Sequence, residues 1–218
     1  MKKGILLVIT LYELLIVSNF VVNGRPSEND ALNKFMLQKH NELRSNLTKC
    51  NVRGQPPPVE MPMLRYDQEL ADLAQQWVDQ CKDGHWIPAT SSWGDNVGQN
   101  WAGGPNFQVA FDLWFAEYKL YNYDRNSCSG TCGHYTQMVW SSTRAIGCAI
   151  RNCAGVQNFP YGNSITCNYG PAGNLLGRKP YEKADKEQCS SALKLDNHTS
   201  WIWLMFFICW STTRFSLI

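Results

Sequence analysis

The chain predicts an α+β fold built in layers, and three observations carry that expectation. Apolar residues recur at helical spacing in three stretches, and two later runs alternate as strands do. Eight cysteines lie in the body of the chain, an even set that reads as disulfides in an exported protein. The 218 residues suit one domain with appendages. A domain of that size buries roughly 70% of the surface its unfolded chain exposes. With 44% hydrophobic and 17% charged residues the composition is globular. A formal net charge of +2 gives no argument for nucleic acid or an anionic membrane surface as partner. Nine tryptophans imply large aromatic packing units or a stacking surface.

The first 24 residues read as a signal peptide, with Lys2 and Lys3 leading an apolar stretch from Ile5 to Val22 and cleavage expected after Gly24. The body spans 25–189. Leu32, Phe35, Met36, Leu43 and Leu47 share one side of a helix over 31–47. Gln55-Pro56-Pro57-Pro58 and Met61-Pro62 then enforce an extended connection, because proline disfavours helical backbone in the residue before it. Leu70, Leu73, Ala74, Trp77, Val78 and Cys81 fall on one face of the clearest helix, with Asp67 placed to cap it. Residues 84–106 carry glycine, proline, serine and asparagine at loop density. Helical spacing returns over 107–123, where Ala110, Leu113, Trp114, Glu117, Tyr118 and Tyr121 line one face. Glu117 is thereby a carboxylate among inward aromatics, which calls for an ion partner, a backbone amide or a solvated edge position.

Residues 133–143, GHYTQMVWSST, set His134 at the head of a short segment whose Met138, Val139 and Trp140 form a packing surface. Two strands follow, Ala145 to Asn152 and Ser164 to Tyr169. Ile146, Cys148 and Ile150 share one face of the first, Ile165, Cys167 and Tyr169 one face of the second, and a Cys148–Cys167 bridge would tie the hairpin. Cys128-x3-Cys132 also has tolerable spacing for zinc, but no second pair at similar spacing accompanies it. At the far end, small residues Ser190, Ser191 and Ala192 open a polar spacer over 190–200. A tail over 201–218 follows, with ten apolar residues from Trp201 to Trp210 and Cys209 among them. That run is short of the about 20 residues a membrane span needs, and the order matches a GPI-anchor signal. Membrane attachment is then expected only through this C-terminal anchor. Asn46-Leu47-Thr48 and Asn197-His198-Thr199 are N-glycosylation acceptors.

GHYTQMVW at 133–140 and CNYGPAGN at 167–174 resemble the two signatures of the CAP superfamily, which groups cysteine-rich secretory proteins, antigen 5 and pathogenesis-related 1 proteins. His40-Asn41-Glu42-Leu43-Arg44 resembles the motif of that family's first helix, and Gly98-Gln99-Asn100 its central loop. The resemblance covers about residues 31–181, essentially the whole body. It implies a three-layer α-β-α sandwich around a central antiparallel sheet, stapled by disulfides. It also implies a cleft lined by two histidines and two acids. Carried over by motif, the histidines are His85 and His134, and one acid is Glu117; the other position holds Gln99, a departure from the full pattern. His40 sits outside this set and is expected to be structural, and His198 has no assigned role. Resemblance to the cysteine-rich secretory branch further implies Cys148–Cys167 and Cys81–Cys153 bridges. Cys50, Cys128, Cys132 and Cys189 are left with three pairings open.

Two neutral imidazoles can hold zinc, with water and a carboxylate completing the shell. An amide at Gln99 removes one negative charge and one proton acceptor, leaving Glu117 as the candidate base. Three function classes follow. The resemblance implies first an extracellular binding protein for a lipid, a sterol or fatty acid, or for a partner protein, with no covalent chemistry; an immune-modulating surface recognition role is its variant. A metal-dependent hydrolase using His85, His134 and Glu117 is the second; no HExxH or GxSxG motif supports it. Channel modulation is the third, and the cysteine-rich domain that channel-blocking relatives add after the body has no counterpart following Tyr181.

Overall fold

The computed structural model describes residues 25–86, 91–94 and 96–185. The signal segment and its cleavage point after Gly24, Cys189, the spacer from 190, Asn197, His198 and the tail with Cys209 lie outside these residues. Helix α1 (Ala31–Thr48) starts where Asp30 accepts the Asn33 amide at 2.7 Å. Strand β1 (Arg65–Tyr66) leads into α2 (Gln68–Val78), whose cap is Asp67, bonded to the Leu70 amide. Strand β2 (Gly98–Gly104) precedes α3 (Phe107–Ala116), which tightens into a 3-10 turn over Glu117–Lys119. A small hairpin pairs β3 (Tyr121–Asn122) with β4 (Ser127–Cys128). Helix α4 (Gly133–Met138), β5 (Ala145–Asn152) and β6 (Asn163–Gly170) complete the order.

The main sheet runs β1-β5-β6-β2. Alternation along its strands makes the three layers. Ile146, Cys148, Ile165, Cys167 and Tyr169 pack with Met36, Leu47, Phe111, Trp114 and Met138 of the α1/α3/α4 layer. Their neighbours Ala145 and Ala149 face α2, packing with Leu70, Ala74 and Val78. The small residues on that face let α2 come close. A Cβ on Gly147 would sit 2.2 Å from the Ala71 nitrogen, so only glycine fits there. Each large apolar side chain buried this way contributes roughly 1.5–3 kcal/mol. Bridges join Cys81 to Cys153, Cys128 to Cys132 and Cys148 to Cys167, and Cys50 is disulfide-bonded too. The Cys128–Cys132 bridge removes the zinc alternative for that pair. Among the described residues no helix is long and apolar enough to cross a membrane.

The layered α+β class agrees with the sequence, and four details differ. The sheet is mixed, not wholly antiparallel: the two residues of β1 run parallel to β5, with the Arg65 amide on the Arg144 carbonyl and the Asp67 amide on that of Ile146. The cause is local, since this short lead-in to α2 lies alongside β5 with the same polarity. The stretch 84–106, expected to be loop, contains β2, paired along its whole length with β6. The helix expected over 107–123 ends at Ala116, because the chain must turn there into the β3–β4 hairpin. Leu113, expected to face inward, is 56% exposed.

Candidate functional site

Strand β2 lies at the edge of the sheet, and consecutive residues on it point to opposite faces. Gln99 and Asn100 use that alternation to reach both sides. On the α2 side, Gln99 Nε2 donates to the Trp86 carbonyl at 2.7 Å and to Asn168 Oδ1 at 3.0 Å. Its Oε1 accepts the Trp86 amide at 3.0 Å and faces His85 Nδ1 at 3.3 Å. Trp86 in turn stacks on Trp77 of α2, with ring centroids 6.3 Å apart. On the other side, Asn100 Nδ2 donates to the His134 carbonyl and to the Tyr169 hydroxyl, both at 3.1 Å.

Glu117 holds His134 more tightly. Its Oε1 lies 2.6 Å from His134 Nδ1, and its Oε2 accepts the backbone amides of His134 and Tyr135. The two amides belong to the first turn of α4, which has no internal acceptors for them. The side chains of His134 and Glu117 are 22% and 12% exposed. The His134 ring also stacks on Trp114 at 5.9 Å. Glu117 therefore meets one of the alternatives its sequence position posed, since it accepts backbone amides, and it hydrogen-bonds the His134 ring as well.

The four residues carried over by motif converge. The His85 and His134 rings lie 6.2 Å apart, centroid to centroid, tilted by 36°. Gln99 Oε1 can only accept, and so can the Glu117 carboxylate, so both rings keep their hydrogen on Nδ1. Nε2 of each ring is then the atom left for an outside partner. Such locking of the far nitrogen by a hydrogen-bond acceptor is how proteins orient metal-binding histidines. Among the described residues, however, no group of three or more His, Cys, Asp or Glu side chains comes together to hold a metal ion. Zinc enzymes ordinarily supply three protein ligands. The donor set fits a two-point site completed by solvent, and falls short of a zinc-enzyme centre.

His40 lies apart from this cluster. It is buried on α1, with Nδ1 on the Met36 carbonyl and Nε2 accepting from the Tyr169 hydroxyl. Sequence reasoning missed Asn100, Trp86, Trp114 and Asn168. Asn100 was within reach, since it adjoins Gln99 and a strand reading of 98–104 would have set the two on opposite faces.

A model of the cysteine-rich secretory protein family, CAP, matches residues 37–169. The chain belongs to that family. It is 40% identical over 157 residues to mouse GLIPR1-like protein 1, a match covering 68% of this chain and 63% of the relative. The chain thus spans under two thirds of that relative's length. Venom allergen 5 of Vespa velutina is 36% identical over 170 residues, covering 68% of this chain and 78% of the allergen. Among solved structures, Schistosoma mansoni venom allergen-like protein 4 matches at a TM-score of 0.64 and 30% identity, over 73% of this chain and 99% of that one. NaASP2, solved with Zn2+, matches at 0.60 and 28% over 78% and 92%. Members of this family are mostly secreted and generally not enzymes.

Proposed function

We propose that this CAP protein is an extracellular, non-enzymatic binding protein. Its cleft takes a divalent metal ion between His85 and His134, and its surface binds a small apolar ligand, a sterol or fatty acid, or a partner protein. The commitment of Glu117 carries the reading. Three of the carboxylate's four acceptor positions are taken, one by His134 Nδ1 and two by backbone amides. A general base must reach the proton it removes, and this side chain, only 12% exposed, is committed to holding His134 and the start of α4. That counts against the hydrolase reading and leaves an arrangement suited to binding. Zinc bound here would supply a concentrated positive charge, and His85 and His134 would hold it through Nε2. NaASP2, solved with Zn2+, supports a metal in this fold.

Export through the signal peptide, a glycan on Asn46, and exchange of the chain beyond the small residues Ser190–Ala192 for a GPI anchor complete the reading, and that exchange removes the Asn197 acceptor. Phospholipase treatment of intact cells should release the protein; retention would remove the anchor.

Titration calorimetry of the full chain with Zn2+ tests the cleft. One weak site is expected, lost in both His85→Ala and His134→Ala. Equal heats in the variants would defeat the metal assignment, and metal-dependent hydrolysis abolished by Glu117→Gln would reverse the non-enzymatic one. Labelled sterol and fatty acid should bind saturably; if neither does, the partner-protein reading remains.

A further inference from the structure

A groove of about 260 Å³ lies between α1 and α3, and one of its walls carries Asn46. Its inner side is apolar, formed by buried Leu43, Val52 and Phe111 with half-buried Phe115. Its outer edge is polar, with exposed Asp112 and Asn46. Asn46 heads the acceptor sequence Asn46-Leu47-Thr48 in the last turn of α1. A glycan attached there begins inside the groove.

The chemistry suits a sugar better than a lipid. A hexosamine ring offers one apolar C–H face for aromatic rings and an edge of hydroxyl and amide groups for carboxylates. Phe111, Phe115 and Asp112 supply that combination. The groove is also smaller than the roughly 300–1,000 Å³ usual for drug-sized ligands. A covalent tether of a few bonds further gives the attached sugar an effective concentration that a free ligand must overcome.

We propose that the first sugars of an N-glycan on Asn46 seat in this groove, covering Phe111 and Phe115. Glycosylation thereby closes to apolar ligands a groove that the bare chain leaves open. The inference rests on the extracellular reading above, and assigns regulation to one of the surfaces that reading offers a lipid.

The test uses the full chain made in a eukaryotic secretory host and recovered from its native location. Glycopeptide mass spectrometry should find Asn46 modified. Hydrogen exchange over 107–116 should be at least several-fold slower in the glycosylated protein than after enzymatic glycan removal. Asn46→Gln and Thr48→Ala, which remove the acceptor in two different ways, should match the deglycosylated form, while Thr48→Ser should match the wild type. A fluorescent fatty acid should bind the bare forms at least tenfold more tightly. An exported protein with Asn46 unmodified overturns the proposal and leaves the extracellular reading intact. So does equal exchange over 107–116 with and without the glycan. Slower exchange with no fatty-acid binding by either form upholds the sugar seat and removes the fatty acid from the proposed ligands.

Discussion

The segment from Gly133 to Thr143 is held at both ends, and by opposite means. Its far end is fixed from within. Arg44, buried on α1, donates Nε to the Met138 carbonyl, Nη1 to those of Pro62 and Thr143, and Nη2 to that of Trp140. Its near end carries His134 at the partly open cleft, held by Glu117 and Asn100. The buried end spends four of the guanidinium's five N–H donors on the chain itself. The open end keeps one ring nitrogen unspent. Two histidines repeat the contrast, buried His40 with both nitrogens satisfied and His134 with one. A motif that looks uniform in sequence is thus half anchor and half site, and the two halves should fail differently when altered.

Removing the anchor should have the largest effect. Burial draws the Arg44 guanidinium down to about 9, so it remains charged at neutral pH, compensated by four carbonyls. Arg44→Ala strands those carbonyls, at a cost of roughly 3–5 kcal/mol. For a domain of this size that lowers the melting temperature by roughly 6–20 °C, read by calorimetry. A change under about 1 kcal/mol would mean the segment is held by packing alone.

Buried His40 of α1 carries a pH signature of its own. Burial, the largest cause, pushes it down to about 3, so the folded protein keeps it neutral. The unfolded chain takes up a proton near pH 6.5, where the ring is ordinarily half-charged. Its contribution is therefore complete above pH 6.5 and drains away as pH falls toward 3. By pH 5 the loss is about 2 kcal/mol, at about 1.4 kcal/mol per unit. Denaturant unfolding of wild type and His40→Gln at pH 7 and pH 5 isolates the effect, and parallel losses in the two proteins would refute it.

Much of this anchor was legible in the sequence, and less of the cleft. Helices α1 and α2 announced themselves because each buries one face against the sheet, so its apolar residues recur at 3.6-residue spacing. The β5–β6 pair showed equally well, since Ile146, Cys148, Ile165 and Cys167 enter one core. Strand β2 did not. Gly-Gln-Asn-Trp-Ala-Gly-Gly lacks the β-branched residues that mark strands, because it trades side-chain packing for polar contacts that hold the cleft. The hairpin of β3 and β4 was equally hidden, each strand being two residues long. Motif resemblance supplied His85, which no local pattern could have paired with His134 across 49 positions.

At the open end, loss of the orienting carboxylate should be felt by metal more than by stability. Glu117→Ala frees the His134 ring and leaves two α4 amides without their acceptor. Losing such an orienting partner typically weakens metal binding about 10- to 100-fold. Zn2+ calorimetry on the variant should show that loss while the fold survives a destabilisation of about 1–3 kcal/mol. Unchanged affinity would place the metal elsewhere.

The smallest and most discriminating change is Gln99→Glu, which restores the family's acidic pattern. Charge alone predicts tighter metal binding, since a carboxylate beside His85 would mirror Glu117 beside His134. The hydrogen bonds predict the reverse. Gln99 donates to the Trp86 carbonyl and to Asn168 Oδ1, and a carboxylate can donate to neither. Asn168 cannot turn its amide to compensate, because its Nδ2 already serves the Leu70 carbonyl. The variant should lose roughly 1–2 kcal/mol of stability and loosen the 84–86 segment that carries His85. Zn2+ affinity should fall despite the added charge. Tighter binding instead would show that His85 is placed independently of the amide, and that the glutamine is no more than a missing charge.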